Sequence, residues 1–250
     1  MTSVADPPAI ARPGAAFYGA PVGILLLDCV APFVPGSVGN ASTYQRPVRY
    51  KTVPGLTVES LISAPDDRVA DTMVRCAQEL GAEGARLITG NCGFMIRHQR
   101  AVQEAFNGLV ALSSLLLAPM LLRSLPSRRA LGIVTASARS LEPELLAQAG
   151  VPEDANIAVA GLDDSPAFTA TFIECTGELD RARVEAETIE VVTDLVERQP
   201  DVGAILLECS ELPPYAAAVQ AAVGLPVLDF ISMIEFFAAS MDRREFRGLY

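Results

Sequence analysis

The feature that most constrains the fold is an alternation of short apolar runs with longer helical patterns, which occurs twice along the chain. The strand-length runs are PVGILLLD, PVRYKTV, ARLITG and LVALSS in the first half, and ALGIVTAS, NIAVAGL, VGAILLEC and LPVLDF in the second. Strands that alternate with helices are typical of parallel sheets with helical crossover connections. The sequence therefore predicts an α/β protein.

The two halves share the same order of predicted elements, and each places a cysteine, Cys92 or Cys209, at the end of its third strand. We expect two similar Rossmann-like or flavodoxin-like lobes, each with a parallel four-stranded sheet, related by internal duplication. The first lobe is predicted to span residues 19–126, with the C-terminal segment able to pack back on it, and the second residues 127–250. Residues 1–18, rich in Pro and Ala, are expected to form a mobile tail.

The composition argues against several classes of function. The chain has 250 residues, a formal net charge of −11 and one lysine, Lys51, whereas nucleic-acid binders carry clustered Lys and Arg. The most apolar region, GLVALSSLLLAPMLLRSL, is shorter than a membrane span and contains Pro119. The N-terminus lacks the pattern of a secretory signal, so we expect a cytoplasmic protein with reduced thiols, and neither nucleic acid nor a membrane as a partner.

The remaining cysteines and the one histidine form no metal or disulfide pattern. The count of five cysteines is odd, and no Cys-x-x-Cys pair occurs, so neither a metal site nor a cofactor is predicted. Cys76 has apolar spacing within a predicted helix and is expected in the core. Cys175 is interpreted as incidental, and Cys29 lies beside the predicted cleft. His98 is expected to be a surface or capping residue.

Cys92 and Cys209 are the candidate functional residues, because each follows a buried strand where the chain opens into a loop. In open parallel sheets, ligands bind beyond the carboxyl ends of strands, where loops converge. If the two lobes pack with those ends facing, both thiols point into the cleft between them. The alternative is that both are core cysteines, since free cysteine is a common small core residue.

The residues around both cysteines resemble those of the aspartate/glutamate/hydantoin racemase superfamily. ILLECSELPPY (205–215) is similar to that family's second cysteine motif, ITGNCGF (88–94) stands where its first cysteine belongs, and GIVTASARSL (132–141) resembles the strand that opens its second half. Within the superfamily, the two cysteine motifs look most like a branch close to hydantoin racemases and arylmalonate decarboxylases.

Two sites depart from the family's pattern. Gly93 and Phe94 follow the first cysteine, where amino-acid racemases of the family usually have Asn and then Thr or Ser, and this change weakens the case for an unmodified amino acid as substrate. Glu208 precedes the second cysteine, where the family normally has a small residue. Nothing in the sequence explains this glutamate.

Two thiols that face each other can invert a stereocentre beside a carbonyl group. One removes the α-proton as a thiolate and the other returns a proton to the opposite face, because a reference pKa of about 8.5 makes both forms accessible. We therefore expect a cofactor-independent racemase or epimerase, an isomerase, with Cys92 and Cys209 as the acid–base pair. The expected substrate is an amino acid, a hydantoin or a related small carboxylate.

The charge that develops on such a substrate needs donors already in place. The backbone N–H groups of Gly93, Phe94 and Ser210 follow the two cysteines and are the candidates from the sequence. The resemblance to the family adds the hydroxyl of Ser137, for which a helix cap is the alternative interpretation.

Two acids complete the candidate site. In some relatives of the family, an acid at the position of Asp28 tunes the nearby thiol, and the alternative is a turn or capping carboxylate. Glu211 follows the family's pattern of an acid after the second cysteine, where it assists Cys209 or contacts a substrate amine. The alternative for Glu211 is a solvated loop acid.

The connection at 32–47 is long for a simple crossover and rich in Gly, Pro and Asn. Long loops often carry function. We interpret this segment as a lid, with Tyr44 and Arg46 as candidates to cover the ligand.

Other functions fit parts of the same pattern. An arylmalonate-type decarboxylase resembles this fold but keeps only the second cysteine, so Cys92 argues against it. A maleate-type cis–trans isomerase adds one cysteine covalently to an alkene. A non-catalytic ligand-binding module also has two α/β lobes around a cleft. A homo-oligomer is compatible with the family and with the apolar composition.

Overall fold

The computed structural model describes residues 19–63, 67–241, 243, 245, 246 and 248. The predicted mobile tail, 1–18, lies outside the described residues. Eight strands form the two sheets: β1 Val22–Leu26, β2 Val48–Thr52, β3 Leu87–Gly90, β4 Leu109–Ala111, β5 Ala130–Thr135, β6 Ile157–Gly161, β7 Val202–Leu207 and β8 Val227–Leu228.

The two sheets repeat one topology. The strand order is β2-β1-β3-β4 in the first sheet and β6-β5-β7-β8 in the second, and all pairings are parallel. Every residue of β3 and of β5 is buried, which is why these strands read as continuous apolar runs without alternation. The predicted α/β fold with two similar four-stranded parallel sheets is confirmed.

Helices connect the strands and cover the sheets. The α-helices are α1 Ala70–Ala82, α2 Gln99–Ala105, α3 Ala118–Ser124, α4 Pro143–Gln148, α5 Pro166–Phe168, α6 Arg181–Arg198, α7 Ala216–Val223 and α8 Phe230–Ala238. In α6 the buried residues Val184, Thr188, Val192 and Leu195 recur at helical spacing along one face. The sequence analysis does not predict α4, a short helix that begins at Pro143.

A glycine in the first strand of each half permits close packing. A Cβ at Gly23 would lie 3.0 Å from both Ile88 and Leu80, and a Cβ at Gly132 would lie 2.8 Å from Ile205. Gly23 is on β1 and Gly132 is on β5, so the two glycines occupy equivalent positions. The two halves therefore share the order of their elements and also the close packing around their first strands.

The last helix of each half packs on the sheet of the other half. α3 contacts β5 of the second sheet, and α8 contacts β3 and β4 of the first. Glu235 on α8 also forms a 3.0 Å ion pair with Arg46, just before β2. The C-terminal helix therefore lies against the first lobe, although it follows the second lobe in sequence.

The carboxyl ends of the central strands meet where the two halves join. The Ser210 hydroxyl, after β7, donates to the carbonyl oxygen of Asn91, after β3, at 2.5 Å. The Ser114 hydroxyl donates across the same junction to the carbonyl oxygen of Leu207 at 3.1 Å. These hydrogen bonds hold the two cysteine-bearing loops together. In the described part of the chain, no helix is long and apolar enough to cross a membrane.

Candidate active site

Cys92 and Cys209 line one cavity between the two halves. Cys92 is half-buried and directly precedes a 3-10 helix at Gly93–His98, whereas Cys209 is 9% exposed and follows β7. The cavity is small, with a volume of about 40 Å³. Since a buried water needs roughly 10–15 Å³ of such space, the ligand-free cavity has room for only a few waters.

The same kinds of interaction act on the pKa values of both thiols. Burial is the main cause that raises the pKa of the Cys92 thiol and of the Cys209 thiol, and the nearby carboxyl of Glu208 adds to both shifts. The backbone N–H of Phe94 donates to the sulfur of Cys92, and the N–H of Glu211 donates to the sulfur of Cys209, which opposes the rise. In the empty cavity, both groups are therefore protonated thiols at neutral pH.

Glu208 lies beneath the two thiols and is fully buried. Its Oε2 accepts a hydrogen bond from the hydroxyl of Thr135 at 2.9 Å and is also stabilised by the backbone N–H of Ala136. Among the described residues, its Oε1 has no hydrogen-bond partner. Burial raises the pKa of this carboxyl to about 7, against the effect of the two hydrogen bonds.

The two departures from the racemase pattern lie against each other. A Cβ placed at Gly93 would overlap the carboxyl group of Glu208. The backbone carbonyl oxygen of residue 208 would also lie 2.6 Å from that Cβ. Both the side chain and the backbone of Glu208 therefore require glycine at position 93.

Glu211 forms part of the cavity wall and is 6% exposed, so it is not a solvated loop acid. Its Oε1 lies 3.2 Å from the hydroxyl oxygen of Ser210. That hydroxyl has one proton, which it donates to Asn91, so this second contact is a hydrogen bond only when Glu211 is protonated. Burial also raises the pKa of Glu211 to about 7.

Asn91 is a cavity residue that the sequence analysis did not select. Its side-chain Oδ1 accepts a hydrogen bond from the backbone N–H of Leu27 at 2.8 Å, which ties the first cysteine loop to the end of β1. The sequence feature that could have identified Asn91 is its position directly before Cys92, at the carboxyl end of a buried strand.

The rest of the wall is apolar. Three aromatic and six aliphatic side chains line it: Phe33, Phe168, Phe172, Leu27, Ala31, Val58, Ile62, Ala136 and Ile173. Most of them lie outside the motifs that carry the cysteines, so local patterns did not identify them.

Three predicted substrate contacts have side chains outside the cavity wall. The Ser137 hydroxyl donates to Asp163 Oδ1 at 2.6 Å and holds a turn after β5, where Ala136 and not Ser137 lines the cavity. Asp28 is exposed and accepts a hydrogen bond from the backbone N–H of Gly55 at 3.0 Å, as expected of a turn carboxylate. The Phe94 ring is buried in the core, and only its backbone N–H faces Cys92.

Other interpretations from the sequence need correction. His98 is 3% exposed, so it is not a surface residue. Cys29 lines the cavity, as its place beside the predicted cleft suggested, and the Cys175 thiol lies within hydrogen-bonding reach of the Cys29 thiol. Burial, followed by the proximity of Cys175, raises the pKa of Cys29 to about 12. Cys76 is buried in α1, as expected.

The 32–47 connection reaches the cavity at its beginning. Phe33 lines the cavity, whereas the Tyr44 hydroxyl donates to the carbonyl oxygen of Val38 at 3.0 Å and Arg46 pairs with Glu235. Tyr44 and Arg46 thus hold the folded segment in place, and Phe33 is the aromatic side chain that it presents to the cavity.

Comparison with solved structures identifies the fold. Unliganded arylmalonate decarboxylase superposes with a TM-score of 0.57 at 20% identity, covering 89% of this chain and 92% of that chain. Allantoin racemase from Klebsiella pneumoniae gives a TM-score of 0.60 at 16% identity, with 91% and 96% covered. A glutamate racemase from Bacillus anthracis gives 0.58 at 12% identity, with 89% and 81% covered. The predicted superfamily is confirmed at the level of the fold.

Comparison of sequences identifies the nearer relatives. A dimethylsulfoniopropionate lyase from Durusdinium sp. clade D is 32% identical over 225 residues, which cover 87% of this chain and 74% of that protein. Dimethylsulfoniopropionate lyase 5 of Emiliania huxleyi is 34% identical over 239 residues, and the match covers 90% of this chain but only 46% of that longer protein. No family model matches the chain.

These relatives are lyases, so the comparisons do not confirm the predicted isomerase class. They agree with the broader prediction of an enzyme on the racemase fold. The chain belongs to the dimethylsulfoniopropionate lyase family and has the fold of the aspartate/glutamate/hydantoin racemase superfamily.

Proposed function

We propose that this protein is a lyase that splits dimethylsulfoniopropionate into dimethyl sulfide and acrylate. The observation that carries the proposal is the pair of thiols, Cys92 and Cys209, on the wall of one small apolar cavity. The family relationship supplies the substrate, since the relatives are named for this sulfonium compound.

The first step of the reaction, removal of the α-proton, is the same as in a racemisation. A thiolate takes the proton from the carbon next to the carboxylate, and the electrons of that C–H bond form a double bond to the β-carbon. The β-carbon–sulfur bond breaks as this double bond forms, and its electron pair leaves with sulfur as neutral dimethyl sulfide. The proton remains on the cysteine until solvent removes it. A racemase substrate has no such leaving group, so its carbanion is reprotonated instead.

The arrangement of the loops supports this first step. Cys92 and Cys209 occupy equivalent places after β3 and β7, and each is a candidate base. The N–H groups of Gly93 and Ser210 remain the proposed donors to the substrate carboxylate, whose negative charge grows as the α-proton leaves. Ser210 lines the cavity, and Gly93 follows the cavity-lining Cys92.

The size of the cavity limits the substrate. At about 40 Å³ it fits a small ligand better than a bulky one. Its apolar lining favours a compact ligand with small alkyl groups. Dimethylsulfoniopropionate, with two methyl groups and a three-carbon chain, is such a ligand.

A racemase is the second candidate, because both equivalent positions are cysteines and the two-base mechanism needs two. The experiment that separates the candidates uses D2O. The protein is incubated with dimethylsulfoniopropionate and, separately, with amino acids and 5-substituted hydantoins. Dimethyl sulfide is measured by gas chromatography and the α-hydrogen by NMR.

The lyase proposal predicts stoichiometric dimethyl sulfide and acrylate, and loss of both products in the Cys92→Ser and Cys209→Ser variants. Exchange of the α-hydrogen in an amino acid or hydantoin, without any dimethyl sulfide from the sulfonium compound, would replace the lyase with the racemase.

A further inference from the structure

We propose that the cavity contains a cation subsite, formed by Glu211 together with the rings of Phe33 and Phe172, that binds the sulfonium group of the substrate. The identity of the ligand rests on the proposed lyase function. The preference for a cation rests on the composition and geometry of the cavity wall alone.

The charged groups around the cavity favour a ligand that carries a positive charge. Among the cavity-lining residues that the structure describes, there is no Lys, Arg or His, and Glu211 is the one carboxyl group. A second buried carboxyl, that of Glu208, lies behind the two cysteines. A doubly negative substrate such as an arylmalonate would meet repulsion here without a compensating cation. A substrate that brings its own positive charge would meet attraction.

The carboxyl group of Glu211 lies in the cavity wall and is more than nine-tenths buried. The hydroxyls of Ser37 and Ser210 lie close enough to lower its pKa, but burial outweighs both and raises the pKa to about 7. Two neutral hydroxyls do not balance the charge of a buried carboxylate, and a buried charge without an opposite charge is costly. A cation in the cavity would supply that charge and favour the ionised form of Glu211.

The aromatic rings in the cavity wall also favour a cation. A cation with methyl groups binds well over aromatic faces, as in the aromatic cages that bind quaternary ammonium groups. Phe172 lines the cavity, with its ring centre 5.3 Å from that of the fully buried Phe168 behind it. The ring of Phe33 rests on Gly39, where a Cβ would lie 2.7 Å from the ring. Both rings are therefore held in place before the ligand arrives.

The subsite would also help the chemistry. The negative charge of Glu211 raises the pKa of both catalytic thiols, although less than burial does. A sulfonium group beside Glu211 offsets that repulsion. Binding of the substrate thus favours formation of the thiolate that attacks it.

The test uses two unreactive probes that differ in charge and hardly in shape. 3-(Trimethylammonio)propionate carries a cation, and 4,4-dimethylpentanoate has carbon in place of nitrogen and is otherwise the same. Their dissociation constants are measured by isothermal titration calorimetry at pH 8 on the full chain. Both probes carry a carboxylate, so their net charges at pH 8 are zero and −1. We expect the wild type to bind the ammonium probe at least about tenfold more tightly than its carbon analogue.

The variants Glu211→Gln, Phe33→Leu and Phe172→Leu should each reduce that ratio. The two Phe variants should change affinity for the carbon analogue by less than about threefold, whereas Glu211→Gln should not weaken binding of this anion, because it removes a negative charge. Glu197→Gln removes an equal charge from an exposed position on α6, and Phe246→Leu alters an exposed ring. Both controls should keep the wild-type ratio. Circular dichroism of every variant checks that the fold is intact.

Equal affinity of the wild type for the two probes, or an equal loss for both in Glu211→Gln, would overturn the subsite. Absence of binding by either probe would overturn it as well. The lyase proposal is judged separately by release of dimethyl sulfide. A protein that releases dimethyl sulfide but does not discriminate between the probes is a lyase without this subsite. A protein that discriminates but releases nothing has the subsite and a different reaction.

Discussion

The carboxyl group of Glu208 occupies the space that any side chain at Gly93 would need. One residue precedes the second cysteine and the other follows the first, so this contact joins the two halves of the duplicated fold directly beneath both thiols. It places a buried acid within electrostatic reach of Cys92 and Cys209.

The Gly93→Ala variant should be destabilised because its new methyl group overlaps the Glu208 carboxyl. We expect a loss of about 1–3 kcal/mol in the free energy of unfolding, as is usual for overpacked cores. Urea denaturation measures it. The double variant Gly93→Ala/Glu208→Ala should recover part of this loss, because the overlap with the carboxyl group is removed, while the new Cβ still lies 2.6 Å from the backbone carbonyl oxygen of residue 208. Gly248→Ala, where a Cβ has no neighbour within 4 Å, is the control. Additive effects of the two changes would show that the overlap is relieved in another way.

The Glu208→Gln variant should lower the pKa of both thiols, because it removes a negative charge that raises them. The pH profile of alkylation by iodoacetamide, followed residue by residue with mass spectrometry, should shift to lower pH at Cys92 and Cys209. The thiol of Cys76, which is outside the cavity, serves as the internal control. An unchanged profile would mean that Glu208 is protonated throughout the range.

Stability should fall as pH rises from about 4.5 to about 7. Glu208 and Glu211 have folded-state pKa values of about 7, above the ordinary value of 4.5, so the folded protein retains protons that the unfolded chain has lost. Each group contributes up to about 3 kcal/mol, fully present below pH 4.5 and lost by pH 7. Thermal unfolding between pH 4 and pH 8 should show the slope, and Glu208→Gln/Glu211→Gln should flatten it. Glu197→Gln should leave the slope unchanged.

Replacement of Cys92 or of Cys209 by serine should reduce release of dimethyl sulfide by about 10²–10⁴-fold, the range expected when a general acid or base is removed. Serine keeps the shape but is far less acidic than cysteine. Initial rates at saturating substrate measure the effect, with Cys76→Ala as the control. Wild-type rates in both variants would remove the thiols from the mechanism.

The Ser137→Ala variant should lose stability and keep its activity. Its hydroxyl makes a 2.6 Å hydrogen bond to Asp163 and its side chain does not line the cavity, so we expect a loss of about 1–3 kcal/mol in unfolding free energy for a hydrogen bond to a charged group. Turnover and KM should match the wild type. A large rise in KM with unchanged stability would restore the substrate contact that the family resemblance implied.

Much of this protein could be predicted from its sequence. The apolar runs around Ile24 and Ile133 predicted buried parallel strands because a strand covered on both faces needs no polar positions. The repeated order of elements predicted the duplication, and with it the facing positions of Cys92 and Cys209. The local sequence was sufficient for these features, since the burial of a strand and the position of its end can both be predicted from a few consecutive residues.

Other features required the tertiary structure. The sequence left Glu211 open between a site acid and a solvated loop acid, and His98 was expected to be a surface or capping residue. Both are buried, because burial depends on which elements cover a loop. Phe33 and Phe172 are about 140 positions apart and meet only when the two halves close around the cavity.

The sequence by itself determined the two lobes and the two thiols, because strand and helix periodicity and the position of a strand's end are local properties. Only the tertiary structure decided that Gly93 makes room for Glu208, that Asn91 joins the predicted Glu211 at the cavity, and that Ser137 and Asp28 serve turns. Those outcomes depend on contacts between segments far apart in the chain, and no local pattern records which segments will meet.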